Sequence, residues 1–567
     1  MNSISKTILW LFLFSLIFVL PAGAQQNETG FLVIAPDRGF MGNQEIRDIH
    51  QSFSETYLSS LAFITQEETD RFLSEGIDQL TGDGVSSLVV LPMFLSDAHP
   101  LYKLAKERLM NSDLTDLPVE MAGTMSESYL TADILADRIR EVSVNPAEES
   151  LVVVATGAST QDEMNGIKDD VENVLHMNHG FFDFNDESVI VFDDAGGRSE
   201  SSQERLDEKL TSIRDEGLKP LVVTFDLTPK LDGMMAFGSW IRPLVRNHGS
   251  LYNGNDITPH ENVGLWLAKQ ANSYLPVTKE NLGVIFMPHG SNYNWNRTMM
   301  DAIDELHDDY MIEHAFSMGD ATLVDRAVEK LEARGATAIT VLRIFSLESS
   351  FKNSIEYTLG LREQMGHGGM MHMMSGPPQR VISSSEFYTT GGLEDSPLFA
   401  EALLDRAIGL SENPEDETVI LVGHGTRTEE GNNRWMNNLE TITAHMERTA
   451  EEMGYNFRGF KFENWREDWP DLRDKHINNV REMVKTASEN EGTAIVIPAR
   501  TTRGGHAERW LSDLEFKHDG EGFAPHPLFV EWVESLIDES LGHFNNGEVV
   551  SSQVTERTDQ HRLHHDH

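Results

Sequence analysis

The feature that most constrains the fold of this chain is an internal repeat with a spacing of about 120 to 137 residues. In each copy an apolar, β-like run breaks into a loop of small or polar residues, and a long helix-compatible stretch follows. A second apolar run begins roughly 55 to 75 residues after the first. The first runs are FLVIAPDRGF from Phe31, LVVVATGAST from Leu151, LGVIFMPHGS from Leu282 and VILVGHGTRT from Val419, and the second runs are SLVVLPMFLS, PLVVTFDLTP, AITVLRIFSL and TAIVIPARTT.

These runs predict parallel strands. Continuous Val, Ile and Leu, without apolar–polar alternation, is typical of strands that helices cover on both faces. The strand–helix–strand order therefore predicts an α/β fold of repeated, doubly wound parallel sheets. A chain of 567 residues is also too long for a single core. We expect four units: unit 1 (30–146), unit 2 (150–275), unit 3 (281–411) and unit 4 (417–544).

Composition limits the chemistry that this chain can perform. It has 45 basic and 92 acidic residues, a formal charge of −47, so we expect no nucleic-acid partner. The sequence has no cysteine, so a metal ion would be held by His, carboxylate, Met or backbone groups. It contains no credible phosphate-binding fingerprint, and no nucleotide cofactor is expected.

Residues 1–24 have the pattern of a secretory signal peptide. Lys6 precedes an apolar run from Ile8 to Leu20, and the small residues Ala22-Gly23-Ala24 follow. The run is short for a membrane span. We expect cleavage, export to the periplasm or the extracellular space, and no stable membrane insertion afterwards. An uncleaved anchor is the alternative.

Two further segments contain side chains that could bind metal ions. The tail 545–567 is polar, is predicted to be disordered, and ends in HRLHHDH. The segment 364–378 places His367 and His372 among five methionines, a combination that suits a soft metal ion. The same segment could be a mobile loop whose methionines cover an apolar cleft.

Histidines recur where predicted strands end. In an open α/β sheet, ligands bind beyond the carboxyl ends of the strands, so the loops that follow the two runs of a unit meet in one cleft. The loop after the first run carries Asp37, Thr156, His289 and His424 in units 1 to 4, and the loop after the second run carries His99 in unit 1 and His506 in unit 4. Unit 4 thus has a His/His pair, unit 1 an Asp/His pair, unit 3 one histidine and unit 2 none.

An acidic and aromatic stretch, FENWREDWPDLRDKH, follows the predicted middle strand of unit 4. Its carboxylates include Glu463, Glu467 and Asp468, and its indoles are Trp465 and Trp469. These residues could belong to a site, or they could form an exposed acidic loop, which is the commoner arrangement.

LVGHGTR and VIPARTTRGGH in unit 4 resemble the class II tetrapyrrole chelatases of the sirohydrochlorin cobaltochelatase type. The stretch VVLPMFLSDAHPLYKLAKERL of unit 1 matches the second loop of that family, and HPLFVEWV of unit 4 is similar to its closing segment. The resemblance implies two bilobal pairs, units 1 with 2 and units 3 with 4. It also implies a lyase that inserts Co, Fe or Ni into a sirohydrochlorin-type tetrapyrrole without ATP.

The same resemblance implies roles for individual residues. His424 and His506 would deliver the metal and accept protons, with His289 facing them from unit 3. Imidazole suits both tasks, because it binds divalent transition metals and titrates near neutral pH. Asp37 and His99 would form a second, degenerate metal site.

Departures from the family pattern leave a second hypothesis open. Arg500 and Arg503 replace apolar residues of the family loop, and they could bind the carboxylates of a tetrapyrrole or be surface charge. Metalation for cofactor synthesis belongs in the cytoplasm, whereas this chain is predicted to be exported. The alternative is an exported, non-catalytic protein of the same fold that binds a metal or a tetrapyrrole, and a weaker one is a structural repeat protein with relic motifs.

Overall fold

The computed structural model describes residues 29–111, 114–193, 196–229, 231–232, 235–364 and 379–546. The predicted signal peptide, the Met/His residues 365–378 and the tail from residue 547 lie outside the described residues. Within the described part of the chain, no helix combines the length and the apolar character that a membrane crossing requires.

Unit 1 contains a four-stranded parallel sheet in the order β2-β1-β3-β4. Its strands are β1 (Thr29–Pro36), β2 (Ser59–Ile64), β3 (Ser87–Pro92) and β4 (Val119–Met121), and its helices are α1 (Gly39–Ser54), α2 (Thr69–Gly82), α3 (Pro100–Asn111) and α4 (Tyr129–Arg140).

Unit 2 contains a three-stranded parallel sheet in the order β6-β5-β7, and a short antiparallel pair, β8 with β9. Its strands are β5 (Glu149–Ala158), β6 (Glu187–Asp193), β7 (Lys219–Phe225), β8 (Leu231–Asp232) and β9 (Met235–Ala236), and its helices are α5 (Gln161–Met177), α6 (Glu200–Asp215), α7 (Phe237–Asn247) and α8 (Glu261–Asn272).

Unit 3 repeats the arrangement of unit 1, with the order β11-β10-β12-β13. Its strands are β10 (Leu282–Pro288), β11 (Met311–His314), β12 (Ala338–Ile344) and β13 (Glu386–Gly391), and its helices are α9 (Tyr293–Asp301), α10 (Ala321–Glu332), α11 (Lys352–Thr358) and α12 (Pro397–Leu410).

Unit 4 repeats the arrangement of unit 2, with the order β15-β14-β16. Its strands are β14 (Glu417–Gly423), β15 (Gly459–Asn464) and β16 (Thr493–Ala499), and its helices are α13 (Glu429–Glu452), α14 (Pro470–Ala487), α15 (Ala507–Trp510) and α16 (Pro527–Asn545).

The predicted fold class is confirmed, because the main sheets of the described residues are parallel and flanked by helices. In every unit the first strand is central and pairs with the second strand on one side and the third on the other. Every residue of β10 and of β14 is buried, as their continuous apolar sequences predict. The loops that follow the first and third strands therefore lead toward opposite edges of the sheet, and a cleft forms between the carboxyl ends of these two strands.

The two apolar runs of each unit are its first and third strands, and the sequence interpretation placed a strand between them only in unit 4. These second strands, β2, β6, β11 and β15, lie at the edge of their sheets. An edge strand has one partner and is partly open to solvent, so it needs no continuous apolar run. The first four residues of β15 are only half-buried, which accounts for its sequence GFKFEN.

The cores join the units in two pairs. One apolar cluster extends from Phe31 to Ala271 and includes strands of units 1 and 2. A second cluster extends from Val277 to Ile537 and includes strands of units 3 and 4. We refer to units 1 and 2 as the N-terminal half and to units 3 and 4 as the C-terminal half.

Matching polar contacts support a duplication of the two halves. The buried Glu149 at the start of β5 accepts a hydrogen bond from Ser143 Oγ at 2.6 Å, and the buried Glu417 at the start of β14 accepts one from Ser411 Oγ. Arg138 donates to the carbonyl of Pro259, as Arg406 does to that of Pro525. Because these contacts recur 266 or 268 residues apart, the halves have the same scaffold.

Candidate metal centre

The loop that carries His424 is shaped by the glycine on each side of it. A Cβ atom at Gly423 would lie 2.4 Å from the indole Nε1 of Trp435, so no larger residue fits where β14 ends. Gly425 has a φ of +82°, a backbone conformation that glycine adopts without strain. The turn directs the carbonyl of Gly425 back toward the imidazole of the preceding histidine.

This carbonyl sets the proton position on His424. The distance from His424 Nδ1 to the Gly425 carbonyl oxygen is 2.8 Å, and a carbonyl can only accept, so Nδ1 carries the hydrogen. In the neutral imidazole Nε2 then has a free lone pair. The side chain is 31% exposed, so a ligand can reach this atom.

Two carboxylates from the loop after β15 lie against His424 Nε2. The distance from Nε2 to Asp468 Oδ2 is 3.1 Å, and the distance to Glu467 Oε1 is 3.5 Å. One potential ligand atom from each of the three residues lies within 4.8 Å of the other two, and this is the one such His/carboxylate group among the described residues. We call these residues the metal centre.

The buried Arg466 holds the two loops of the metal centre together. Its Nε donates to the carbonyl of Thr426 at 2.9 Å, and its Nη1 bonds to Glu429 Oε1 at 2.6 Å. Its side chain is 3% exposed, and it adopts a φ of +46°, which is unusual for a side-chain-bearing residue. This anchoring fixes the next residue, Glu467, beside His424.

A third loop adds a positive charge. Arg500 directly follows β16, whose last residue, Ala499, pairs with Gly423 of β14. Its Nη2 donates to Glu467 Oε1 at 2.6 Å. The cleft between the carboxyl ends of β14 and β16 therefore holds an imidazole, two carboxylates and one guanidinium.

The donor set fits a divalent transition metal. Two ligand bonds of about 2.1 Å at tetrahedral angles place their donor atoms about 3.4 Å apart, close to the separations at His424 Nε2. Glu467 is 8% exposed, and its Oε2 has no hydrogen-bond partner, so the acceptor lone pairs of this oxygen are unused. An imidazole with two carboxylates suits Fe²⁺, Co²⁺, Ni²⁺ or Zn²⁺, and three ligands leave coordination positions open.

His289 of unit 3 interacts electrostatically with residues of the metal centre. Its loop repeats that of His424: Gly290 has a φ of +75°, and His289 Nδ1 donates to the Gly290 carbonyl at 2.6 Å. Desolvation lowers the pKa of His289, and the charges of Arg500 and His424 act in the same direction. The hydrogen bond to Gly290 and the charge of Asp468 oppose this shift without reversing it. Burial therefore favours the neutral form of the His289 imidazole.

His506 does not belong to the group of three ligands found among the described residues. It precedes α15, and its ring packs on Trp510 with the centroids 4.3 Å apart. Arg503 is 69% exposed, and its Nε lies 3.2 Å from Glu521 Oε1. The ligand role of His506 and the substrate-binding roles of Arg500 and Arg503 stay predictions, and both arginines already pair with carboxylates of unit 4.

The corresponding residues of the N-terminal half form no group of three ligands among the described residues. Asp37 accepts from the backbone N–H of Gly39 at 3.0 Å and from Asn43 Nδ2 at 2.7 Å, so its carboxylate stabilises its own loop. The ring of His99 fills the space in which a Cβ atom at Gly157 would lie, 2.7 Å from its Nε2. The second site predicted at Asp37 and His99 stays a prediction.

A buried ion pair occupies the N-terminal cleft. Arg38 of unit 1 pairs with Asp226 of unit 2, and these side chains are 6% and 4% exposed. Thr156 Oγ1, at the position that corresponds to His424, donates to Asp226 Oδ2 at 2.8 Å. Arg38 and Asp226 are 188 residues apart, and the sequence interpretation missed both.

Comparisons with known proteins add fold likenesses at low identity. No protein-family model and no curated protein matches the chain. DR2241 from Deinococcus radiodurans, a multi-domain protein with structural similarity to chelatases and two additional novel domains, matches with 19% identity and a TM-score of 0.31. The match covers 45% of this chain and 55% of that protein, so this chain spans about half of its length.

Two other solved structures are similar over shorter shares of this chain. The sirohydrochlorin chelatase SirB from Bacillus subtilis subspecies spizizenii, in complex with cobalt, matches with 11% identity and a TM-score of 0.32, over 43% of this chain and 93% of SirB. A periplasmic binding ribose operon repressor protein from Lactobacillus acidophilus matches with 13% identity and a TM-score of 0.22, over 47% of this chain and 93% of that protein.

Proposed function

We propose that the C-terminal half binds a divalent transition-metal ion at His424, Glu467 and Asp468 and inserts it into a tetrapyrrole. The observation that carries this proposal is the convergence of His424 Nε2 with two carboxylates, at 3.1 Å and 3.5 Å, in the cleft of an α/β sheet. The ion, Co, Fe or Ni, is a substrate that passes through the centre.

The reaction consumes one metal ion and releases two protons. Two pyrrole N–H bonds break, each nitrogen keeps its electron pair and donates it to the metal ion, and the protons leave to bases. His289 accepts one proton at Nε2, since its Nδ1 already donates to the Gly290 carbonyl and desolvation, which lowers its pKa, favours the neutral ring. Asp468 is 67% exposed, so it can accept the other proton and pass it to solvent. No step requires ATP.

Indole rings around the histidines suit a flat, apolar macrocycle. The ring of Trp295 packs on His289 with the centroids 4.4 Å apart, and the ring of Trp469 meets His424 edge-on at 5.9 Å. Tyr293, which begins α9, is 76% exposed. Rings of this kind stack on planar ligands and exclude water from them.

We propose that the chain acts outside the cytoplasm, in the periplasm or beyond it, after cleavage near Ala24. The support is the pattern of residues 1–24, and an exported chelatase would act on a tetrapyrrole taken from the surroundings. The absence of cysteine is compatible with this location.

Metalation of sirohydrochlorin tests the proposal. Purified protein with Co²⁺ should change the tetrapyrrole absorption spectrum faster than Co²⁺ alone, and His424→Ala should bring the rate back to the uncatalysed one. The matched control is Thr156→Ala, the corresponding position of the N-terminal half, which should retain the parent rate. A His424→Ala protein as fast as the parent would contradict the proposal.

A second candidate is a protein that binds a metal or a tetrapyrrole without turnover. The observation that favours it is the lack of histidine in the cleft loops of unit 2, where Thr156 stands at the position that corresponds to His424 and donates to Asp226. Equilibrium dialysis with Co²⁺ and a spectral titration with sirohydrochlorin discriminate the two. Binding of either one that depends on His424, with no metalation above the uncatalysed rate, would favour this candidate.

A further inference from the structure

We propose that Arg500 is a positioning residue that limits how tightly the metal centre holds its ion, because its guanidinium occupies the oxygen of Glu467 that faces His424. This inference rests on the proposed metal centre and deepens it. It concerns a residue that departs from the family loop and that the sequence assigned to substrate carboxylates.

The contacts of Glu467 show the competition directly. Its Oε1 lies 2.6 Å from Arg500 Nη2 and 3.5 Å from His424 Nε2, so the guanidinium and a metal ion would share the same atom. Its Oε2 is buried and has no hydrogen-bond partner. A metal ion that binds Glu467 through Oε1, the oxygen beside His424, must therefore displace Arg500 or share that oxygen with it.

The positive charge of Arg500 lowers the affinity for a metal ion, as its contact with Glu467 does. The metal centre has two carboxylates, and the guanidinium of Arg500 cancels one of their two negative charges. Arg500 is 20% exposed and Glu467 is 8% exposed, so water screens their interaction less than it would at the surface. A divalent ion is consequently bound at a less negative centre than its three ligands alone would provide.

Restrained affinity suits a protein that must pass the ion on. A centre with two carboxylates and an imidazole in a half-buried cleft would otherwise retain the ion, and transfer would be slow. An ion that leaves lets Arg500 return to Glu467 Oε1, so the empty centre keeps a paired carboxylate. Arg500 thereby supports release without touching the macrocycle.

Co²⁺ binding to the full chain tests this role without any tetrapyrrole. The dissociation constant is measured for the parent, Arg500→Met, Arg500→Lys and Arg503→Met, and the binding component that His424→Ala abolishes is analysed. Arg500→Met should bind Co²⁺ about tenfold more tightly, since a hydrogen bond to a charged group is lost from the competing state. A chelator should also remove Co²⁺ from it about tenfold more slowly.

Two control variants and the Co²⁺ spectrum distinguish an effect of the Arg500 charge from an effect on folding. Arg500→Lys keeps the positive charge and should bind Co²⁺ nearly as the parent does, and Arg503→Met, which removes an exposed guanidinium, should leave the affinity unchanged. The visible absorption of bound Co²⁺ at saturation should be the same in the parent and in Arg500→Met, because the ligands are the same. A collapsed site would change that spectrum.

Equal or weaker Co²⁺ binding by Arg500→Met would overturn the inference, as would an Arg500→Lys protein that binds as tightly as Arg500→Met. If His424→Ala still binds Co²⁺ like the parent, the metal centre itself is wrong and this inference falls with it. If His424→Ala loses the ion and Arg500→Met gains nothing, only the role of Arg500 is wrong.

Discussion

The two halves of the molecule have the same scaffold and different clefts. Glu149 and Glu417 accept the same serine hydrogen bond at the start of β5 and of β14, and Arg138 and Arg406 donate to corresponding proline carbonyls. At the cleft, by contrast, the N-terminal half has an arginine and an aspartate where the C-terminal half has histidines and carboxylates.

The difference shows how one fold can close a cleft or leave it open for a cation. In the N-terminal half the positive charge is Arg38, a side chain that cannot leave, paired between units 1 and 2. In the C-terminal half Arg500 pairs within unit 4, and His424 Nε2 faces two carboxylates at the surface of the cleft. Loss of one partner from the first arrangement would leave a buried charge uncompensated, whereas the second leaves His424 Nε2 within reach of an ion.

The largest effect should come from breaking the buried ion pair. Arg38→Met leaves Asp226 buried without its counter-charge and should lower the free energy of unfolding by about 3–5 kcal/mol, as measured by urea denaturation. Arg38→Met combined with Asp226→Leu should recover most of that loss. A loss below about 1 kcal/mol for the single variant would remove the structural role of this pair.

Replacement of the corresponding glutamates Glu149 and Glu417 should lower the free energy of unfolding by similar amounts. Glu149→Ala leaves two backbone N–H groups and a serine hydroxyl without an acceptor, and Glu417→Ala leaves one N–H group and a serine hydroxyl. Each should cost about 2–3 kcal/mol. Glu417 also bonds to Lys517 Nζ at 2.7 Å, so its replacement should cost slightly more. If only one of the two variants loses stability in thermal unfolding, the claim of a shared scaffold is weakened.

Acidification should change the stability of the halves in opposite directions. Burial raises the pKa of Asp170 to about 6 and that of Asp256 to about 7, so their contribution to stability is present at low pH and is lost as the pH rises through these values. Burial lowers the pKa of His314 to about 4, so the unfolded chain binds a proton below pH 6.5 that the native chain does not, and stability is lost as the pH falls.

Hydrogen exchange resolved by peptide can measure this contrast. Between about pH 7.5 and about pH 5.5, peptides of the N-terminal half should gain about 1–2 kcal/mol of protection, and peptides around β11 should lose a similar amount, after correction for intrinsic exchange. His314→Phe should abolish the loss around β11. The same direction of change in both halves would contradict the opposite shifts.

The smallest effects should come from the paired loop positions Asp37 and His289. Asp37→Ala removes acceptors for Gly39 N–H and Asn43 Nδ2 and should cost about 1 kcal/mol. His289→Ala removes an exposed ring and should change stability by less than about 0.5 kcal/mol. Calorimetry that shows the reverse order would mean that His289 is the structural residue of the two.

Much of the fold could be predicted from the sequence, because fully buried parallel strands need unbroken apolar runs. β10 and β14 are examples, and they were found for that reason. The second strands of units 1 to 3 were missed, because an edge strand such as β11 pairs with one neighbour only and its sequence MIEH has no such run. The repeat itself could have revealed them, since each unit leaves room for a strand between its two runs.

The site was predictable only where a residue type is unusual for its position. A histidine between two glycines at a strand end drew attention to His424, whereas Glu467 was one of several acids and could not be told from an exposed one. The side chain of Arg500 bonds to Glu467 in the loop after β15, and no local sequence pattern encodes this contact. The complementary charges of Arg38 and Asp226 in loops that face the same cleft were the available sign of the N-terminal ion pair.

The central claim is that one cleft of the two forms a metal centre, and Co²⁺ stoichiometry tests it most directly. Equilibrium dialysis with X-ray absorption at the cobalt edge should show that His424→Ala binds one ion per chain fewer than the parent and loses the nitrogen and oxygen ligation of that ion. Thr156→Ala, altered at the corresponding position of the N-terminal half, should bind as many ions as the parent. The same stoichiometry in the parent and in His424→Ala, or the loss of an ion in Thr156→Ala, would contradict the account.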